Sequence, residues 1–322
     1  MVQEKWVVGS EEYHRACQQE GDYWSQEVQL AVKAGIPFSV DMRRAERIFV
    51  DRGDGLPQQQ IYDPKAERLM NGALYQYVFD KLDAHKSKSR VLVLTCGPGG
   101  LCLEIARHGH HVLGIDISQG AIEIAKRFTA ENPFKDGFGS VEYQVADLNR
   151  LELPMGSFDA VVAWDGLHHI LLLERLMQQI QKALVPGGLF IFSDNIGMHK
   201  LSRWIGGALY FLMPTTLSYR KKLRYALAGQ EKVQEEMAER SPFEEISTNS
   251  IYDLALELFS ILEQTSHTGI GYRAAIAGDM RAPSWIKYPF LKALKRMDDY
   301  AVRWHVLKGD HLLVVAQPKE GS

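Results

Sequence analysis

Short apolar runs that alternate with amphipathic segments are the main pattern of this chain. The first run, Val91–Leu94, consists of β-branched and aliphatic residues and stops at a Gly-Pro-Gly turn. Four more runs lie at Val112–Asp116, Val141–Asp147, Phe158–Trp164 and Leu184–Ser193. Helical patterns lie between these runs, so the sequence predicts five strands and several helices in alternation. Such alternation favours right-handed crossovers and an α/β fold with a mostly parallel sheet.

The turn after the first run and the end of the second run carry candidate binding residues. Gly97 and Gly99 have no side-chain bulk, so a ligand there touches backbone, and the first amides of the next helix face the turn. Asp116 ends the second run, where a carboxylate suits the two hydroxyls of a ribose. A dinucleotide fingerprint would place Gly or Ala where Cys102 stands. We therefore expect an adenosine-type cofactor, with a nicotinamide dehydrogenase as the initial rival.

Five features in order extend this pattern: the Cys-Gly-Pro-Gly loop at 96–99, Asp116, the Ala-Asp pair 146–147, the Leu-His-His run 167–169 and the Pro-Gly-Gly turn 186–188. With them the chain resembles the class I S-adenosylmethionine-dependent methyltransferases of small-molecule type over roughly residues 90–200. The resemblance implies a Rossmann-like, mostly parallel seven-stranded sheet with helices on both faces, and S-adenosylmethionine as the cofactor. The last two strands are expected near Ile261–Gln264 and Leu312–Ala316.

The resemblance also implies which residues hold the cofactor. Asp116 would accept from both ribose hydroxyls, Asp147 would accept from the adenine amino group, and the backbone of Leu148 would donate to the ring. Asp165 or its neighbours would meet the cofactor's ammonium group. For Asp116 the alternative is a helix N-cap, because a helix starts soon after it. The predicted cofactor-binding residues are Thr95, Cys96, Gly97, Pro98, Gly99, Asp116, Ile117, Ala146, Asp147, Leu148, Trp164 and Asp165.

Two positions depart from the family's pattern. Val93 stands where the family usually has an acid, which would help to arrange the loop and the methionine end of the cofactor. Thr95 stands where the family usually has a glycine, and its Cβ predicts an ordinary backbone geometry. A non-catalytic relative that acts as a binding or partner subunit therefore stays open as an alternative.

Two histidines follow the fourth strand, where this fold exposes the methyl acceptor. Methyl transfer from a sulfonium is an in-line displacement, so donor, nucleophile and leaving group must be held on one line. A neutral imidazole suits removal of a proton from a hydroxyl or phenol near pH 7. His168 and His169 are therefore the candidate catalytic residues, with His168 preferred as the base. The alternative is that both only close the strand and orient the loop.

Metal assistance is the alternative to a histidine base. Asp165, Asp194 and Asn195 resemble the magnesium site of the catechol-type O-methyltransferases, and hard oxygen ligands suit Mg²⁺. The Leu-His-His run belongs to the metal-free group, so no metal is assigned. Motifs for methylating base amines, pyrimidine C5 and arsenic are absent. What remains is a small-molecule, sugar or lipid-like acceptor, methylated most often on oxygen.

Additions to the core account for the remaining length of the 322-residue chain. Helical patterns at Asp22–Ala34 and Pro64–Leu82 predict an N-terminal cap that either covers the cofactor pocket or completes the core. The apolar run Trp204–Met213 and the basic cluster Arg220–Arg224 predict a lid over the substrate. Contact with a membrane surface, to reach a lipid-linked acceptor, and ordinary packing are the alternatives for this lid. The chain thus divides into a helical N-terminal cap (1–89), a cofactor-binding core (90–200), a helical lid insertion after strand five (201–247), and the completion of the core by strands six and seven with an inserted helix (248–322).

Composition narrows the class of protein. A net charge of −3 gives no support for nucleic-acid binding. Cys17, Cys96 and Cys102 lack disulfide-framework or metal-ligand spacing, fit a reducing compartment and favour a cytoplasmic location. No stretch has the ~20 apolar residues that span a bilayer, and a signal-peptide core is absent. Peripheral membrane contact stays open, and the sequence leaves the oligomeric state undetermined.

Overall fold

The computed structural model describes residues 6–33, 48–49, 61–132, 136–197, 199–215, 217–228, 239–270, 276–277 and 280–319. Seven strands form one sheet in the order β3-β2-β1-β4-β5-β7-β6. In chain order the strands are β1 (Arg90–Leu94), β2 (His111–Asp116), β3 (Ser140–Val145), β4 (Phe158–Trp164), β5 (Leu184–Asn195), β6 (Phe259–His267) and β7 (His311–Pro318). A separate two-residue pairing joins Ile48–Phe49 to Ile61–Tyr62.

The helices lie on both faces of this sheet. They are α1 (Glu11–Lys33), α2 (Pro64–His85), α3 (Gly100–Arg107), α4 (Gln119–Ala130), α5 (Leu173–Ala183), α6 (Lys200–Leu212), α7 (Tyr219–Ala228), α8 (Ile251–Leu258) and α9 (Ser284–Arg303). Strands β1 to β5 pair in parallel, whereas β7 is antiparallel to both β5 and β6. The predicted fold class, a Rossmann-like and mostly parallel seven-stranded α/β sheet, is therefore confirmed.

Alternation along the central strands directs side chains into two cores. Leu92 and Leu94 of β1 join a cluster that α5 and α8 cover on one face of the sheet. Val91 and Val93 join a cluster on the other face, which α2 and α3 cover. The whole of β4 from Phe158 to Ala163 is buried, as expected for a parallel strand with helices on both faces.

Helix α1 begins well before the predicted start at residue 22, and its predicted last residue, 34, lies outside the described residues. Its first turns bury Tyr13 and Ala16 against Leu171 and Phe243. Tertiary packing of this kind stabilises helical turns that their own sequence pattern does not predict. Helix α2 begins as predicted, with the Asp63 side chain accepting from the Ala66 amide at 3.0 Å and Pro64 in the first turn.

The described residues of the insertion after β5 that line a cavity at the carboxyl ends of the strands belong to its closing turn. Ile205 and Leu209 of α6 pack with Leu291 and Leu294 of α9. The turn that ends the insertion carries Phe243 and Glu244 to the carboxyl ends of the strands. Residues 229–238 of the predicted lid lie outside the described residues. The part that is described thus favours ordinary packing for α6. None of the helices in the described ranges combines the length and the apolarity that crossing a bilayer requires.

Candidate active site

A cavity of about 680 Å³ lies at the carboxyl ends of β1, β2, β4 and β5. This volume is in the range of about 300–1,000 Å³ that small-molecule sites occupy. Ten of the predicted site residues line it: Thr95, Gly97, Pro98, Asp116, Ile117, Asp147, Leu148, Asp165, His168 and His169. Helix α1 closes one side with Glu20, Tyr23, Trp24 and Val28. The N-terminal helix therefore covers the pocket, which was one of the two arrangements expected for the cap.

The loop after β1 combines an open backbone with a strained residue. Gly97 has a φ of +51°, and an added Cβ there would meet nothing within 4 Å, so its backbone is open to a ligand. Thr95 has a φ of +50°, which corrects the expectation of an ordinary backbone at this position. The left-handed region costs an L-residue about 1–2 kcal/mol. A glycine would avoid this cost, which explains why glycine is usual in the family.

The Thr95 side chain also explains a second glycine. A Cβ on Gly166 would lie 2.1 Å from Thr95 Oγ1 and 2.5 Å from its Cβ. Thr95 therefore occupies the space that a side chain at position 166 would need. Its hydroxyl donates to the Leu94 carbonyl oxygen at 2.7 Å, so it is directed at the protein rather than at a ligand.

Four predicted cofactor residues lie away from the cavity wall. A Cβ on Gly99 would lie 2.4 Å from the Tyr143 hydroxyl, so this glycine permits packing beneath the loop. Cys96 is buried in the apolar cluster on the α2 face, as is Val93, which is 1% exposed. Trp164 packs on Tyr75 with ring centroids 4.6 Å apart. Ala146 packs against the core on the opposite face.

Asp116 is placed as predicted, at the end of β2 and at the cavity wall. One carboxylate oxygen accepts from the Gly97 amide and the other from the Ser118 amide, both at 2.8 Å. Burial raises the pKa of Asp116, and these two amides oppose that rise. Ser118, and not Asp116, caps helix α4, accepting from the Ala121 amide at 3.1 Å. Asp116 is therefore not the N-cap of α4. Each of its carboxylate oxygens keeps a lone pair that could accept from a ribose hydroxyl.

Asp147 is held by the N-terminal cap. The Tyr13 hydroxyl of α1 donates to Asp147 Oδ2 at 2.7 Å, and the Asn149 amide donates to Oδ1 at 2.9 Å. Tyr13 is fully buried, and burial together with contacts to Cys17 and Asp147 raises its pKa. Sequence reasoning missed Tyr13, because its partner lies 134 positions away.

His168 is oriented by a buried carboxylate. Its Nδ1 lies 2.6 Å from Asp194 Oδ1, and Asp194 Oδ2 accepts from the Gly166 and Leu167 amides at 3.0 and 2.7 Å. Burial alone would lower the pKa of His168, but the hydrogen bond and charge of Asp194 outweigh it and raise that pKa. The arrangement fixes the proton on Nδ1, so that Nε2 faces outward as the acceptor atom.

His169 meets two acidic residues that sequence reasoning missed. Its Nδ1 lies 3.2 Å from Glu20 Oε1 of α1, and its Nε2 lies 3.7 Å from Glu244 Oε2. Burial alone would raise the pKa of Glu20, but contacts with His169, Trp24 and Ser241 lower it. Glu20 is therefore an ionised carboxylate that joins the cap, the closing turn and the histidine pair. A glutamate in an amphipathic helix gives no sequence signal for such a contact.

The predicted magnesium ligands are not arranged as a metal site. Both oxygens of Asp194 already accept hydrogen bonds, and this residue is 0% exposed. Asp165 instead lies 3.5 Å from His311 Nε2 and has a φ of +46°. Because Asp194 offers no free oxygen to the cavity, the donor set of Asp165, Asp194 and Asn195 does not fit a magnesium ion.

The charge of the cavity suits a cationic ligand. Neither Lys nor Arg is among the described residues that line it. Its wall carries six carboxylates, which belong to Glu20, Glu27, Asp116, Asp147, Asp165 and Glu244. Carboxylates around a water-poor cleft attract a cation and disfavour an anion. A sulfonium with an attached ammonium group fits this wall, as do the open Gly97 backbone and the Asp116 oxygens.

Comparison with known proteins agrees with this site. Residues 92–192 match the methyltransferase domain family. The demethylmenaquinone methyltransferase of Symbiobacterium thermophilum is 32% identical over 105 residues, which are 31% of this chain and 40% of that enzyme. The ubiquinone biosynthesis O-methyltransferase of a Chelativorans species, strain BNC1, is 26% identical over 190 residues, which are 53% of this chain and 73% of that enzyme.

A solved structure extends the likeness of fold to nearly the whole chain. The crystal structure of the [4+2]-cyclase SpnF has a TM-score of 0.51 and 16% identity, and covers 94% of this chain and 96% of its own. The domain match, the order of the strands in the sheet and the loop after β1 all indicate the same class of protein. Residues 92–192 therefore carry a methyltransferase domain, and the matches support an enzyme of the class I S-adenosylmethionine-dependent type, with S-adenosylmethionine as the cofactor. The match covers 40% of the length of the demethylmenaquinone methyltransferase, so the reaction of the whole protein is a proposal.

Proposed function

We propose that this protein transfers a methyl group from S-adenosylmethionine to an oxygen of a small-molecule acceptor. The observation that carries the proposal is the His168–Asp194 pair, in which Asp194 of β5 holds His168 after β4, and His168 lines the same cavity as Gly97 and Asp116. A cofactor site and an oriented base in one cavity are what the transfer requires.

The residues divide the work between two sides of the cavity. S-adenosylmethionine, when bound, supplies an electrophilic methyl group. Gly97 offers backbone to the methionine part, and Asp116 accepts from the ribose hydroxyls. On the other side, His168 Nε2 takes the proton of the acceptor hydroxyl while Asp194 stabilises the imidazolium that forms. Helix α1 adds the apolar side chains of Trp24 and Val28 to the cavity wall.

The acidic wall restricts the acceptor. A neutral phenol, alcohol or quinol enters without repulsion, whereas a phosphate or carboxylate would face several carboxylates and neither Lys nor Arg on the described wall. The similarity to a demethylmenaquinone methyltransferase and to a ubiquinone biosynthesis O-methyltransferase supports a small and partly apolar acceptor. Cys17, Cys96 and Cys102 are free thiols, which supports a reducing compartment such as the cytoplasm.

Calorimetry followed by a turnover assay tests the proposal. We expect binding of S-adenosylmethionine by the full chain, and release of S-adenosylhomocysteine when a panel of phenols, quinols and alcohols is added. Absence of binding at millimolar cofactor would contradict the active enzyme and favour a non-catalytic relative. Cofactor binding with turnover only on amines would exclude the oxygen acceptor. Turnover that survives a chelator would show that the reaction needs no metal.

A further inference from the structure

The acceptor side of the cavity holds a second arrangement of side chains with its own chemistry. His168 Nε2 lies 4.0 Å from Glu244 Oε1, and His169 Nε2 lies 3.7 Å from Glu244 Oε2. One nitrogen from each imidazole and a carboxylate oxygen lie within 4.8 Å of one another. We propose that His168, His169 and Glu244 bind one divalent transition-metal ion, with Zn²⁺ as the ion that fits best.

The donor set matches this class of ion. Two imidazoles and one carboxylate form a known catalytic zinc set, and imidazole nitrogen is preferred by zinc and iron over magnesium. Zinc binds nitrogen at about 2.0–2.1 Å and oxygen at about 2.0–2.2 Å, so tetrahedral ligand atoms lie about 3.3 Å apart. The two observed histidine–Glu244 separations, 3.7 and 4.0 Å, are about 0.4 and 0.7 Å longer, and they end on different oxygens of the carboxylate. The Glu244 side chain is 27% exposed and can close this difference by a small rotation.

Both histidines have a carboxylate near Nδ1, but only the contact of Asp194 with His168 has hydrogen-bond geometry. Asp194 holds Nδ1 of His168 at 2.6 Å, and Glu20 lies 3.2 Å from Nδ1 of His169. A carboxylate on Nδ1 fixes the tautomer, leaves the lone pair on Nε2, and makes that nitrogen a stronger ligand. Two adjacent imidazoles whose Nε2 atoms both face one carboxylate are difficult to explain by packing alone.

The fourth position faces the cavity, because all three proposed ligands line it. Three protein ligands with one open position are typical of catalytic zinc. An acceptor hydroxyl in that position would lose its proton to solvent water more readily, since the cation would stabilise the oxyanion. In the metal-bound protein the ion replaces His168 as the activating group, and the base role of His168 belongs to the metal-free protein. The ion-binding proposal rests on the donor set and does not depend on methyl transfer.

Titration of the tag-free, metal-stripped full chain with zinc chloride tests the site. We expect one zinc per chain and no comparable binding of magnesium chloride. Glu244→Gln should weaken zinc binding by about 100-fold or more, and Glu20→Gln by about 10- to 100-fold through the outer partner. Glu245→Gln is the matched control, because Glu245 is the exposed neighbour of Glu244 and should bind zinc as the wild type does.

Two results would overturn the site: less than one tenth of an equivalent of zinc bound, or equal affinities in Glu244→Gln and Glu245→Gln. His169→Gln provides a second ligand variant if Glu244→Gln unfolds, as judged by circular dichroism without zinc. A titration of the same metal-free sample with S-adenosylmethionine separates the two proposals. Zinc binding without cofactor binding would contradict the proposed function, and cofactor binding without zinc binding would contradict only the metal site.

Discussion

The cofactor half of the cavity, at the ends of β1 and β2, presents mainly backbone, whereas the acceptor half, at the ends of β4 and β5, presents ionisable side chains. In the first half, Gly97 and Asp116 lie 19 positions apart and are joined by one hydrogen bond. In the second half, Glu20 of α1 meets Ser241 across 221 positions and also contacts His169. A shared cofactor can be bound by local structure, but recognition of an individual acceptor depends on segments that only the fold brings together.

The buried carboxylates of the two halves make this contrast concrete. Asp116 and Asp194 each accept backbone amides at the end of a strand. Asp116 remains at the cavity wall, where its oxygens can meet a ribose. Asp194 is fully buried, and its Oδ1 accepts the hydrogen bond that holds His168. The same residue type at the end of a strand is thus available to a ligand in one half and positions a side chain in the other.

Loss of the Asp116 carboxylate is the largest expected effect on the cofactor half. Asp116→Ala removes two charge-assisted hydrogen bonds to the ribose, which are together worth about 3–6 kcal/mol. We expect no calorimetric binding of S-adenosylmethionine at millimolar concentration. Glu123→Ala on the exposed face of α4 is the control and should bind normally. If a folded Asp116→Ala protein bound S-adenosylmethionine within threefold of the wild-type affinity, a role of Asp116 in binding the ribose would be excluded.

Substitution of His168 separates the halves. His168→Ala should leave cofactor affinity nearly unchanged and slow turnover by about 10²–10⁴-fold, the usual contribution of a general base. Single-turnover kinetics at saturating cofactor measure the effect. A wild-type rate in this variant would eliminate His168 from catalysis. Loss of cofactor binding would show that the two halves are not independent.

The pH profile reports the Asp194–His168 pair. The raised pKa of His168 means that its neutral form appears only above the ordinary histidine value of about 6.5, so turnover should rise with pH through a midpoint above that value. In Asp194→Asn the largest contribution that raises the pKa of His168 is lost, while the charges of Glu244 and Asp165 remain, so the midpoint should fall below that of the wild type. An unchanged midpoint would contradict the assignment.

The same raised pKa has a consequence for stability. Because His168 binds its proton more tightly in the folded state, its stabilising contribution is complete below about pH 6.5. The contribution is lost as pH rises through the folded-state pKa. Denaturant unfolding of wild type and Asp194→Asn at several pH values measures it.

A double-mutant cycle at the junction of the halves has the smallest expected effect. Gly166→Ala should cost about 1–3 kcal/mol of unfolding free energy, because its Cβ would collide with Thr95. Thr95→Gly removes both the collision and the left-handed strain, so Gly166→Ala in that background should cost less than about 1 kcal/mol. Equal costs of Gly166→Ala in both backgrounds, measured by denaturant unfolding, would show that the two positions are uncoupled.

Much of the fold could be predicted from local pattern. Five apolar runs anticipated β1 to β5, the strands expected near Ile261–Gln264 and Leu312–Ala316 correspond to β6 and β7, and the Asp63-Pro64 pair correctly indicated the start of α2. The start of α1 could not be predicted, because its first turns are stabilised by contacts with Leu171 and Phe243 that are distant in sequence. The prediction of an ordinary backbone geometry at Thr95 was also wrong, since the surrounding loop imposes a conformation that its side chain disfavours.

The sequence by itself determined the sheet, the cofactor loop and the places of Asp116 and His168. Strand periodicity, glycine at the turn and polar residues at strand ends are local features, and the chain order of strands then dictates which ends meet. Only the tertiary structure decided the partners of those residues. Tyr13, Glu20 and Glu244 reach the cavity because helix and turn packing direct them there. Such contacts arise from the burial of apolar faces over the whole chain, and no short stretch of sequence encodes them.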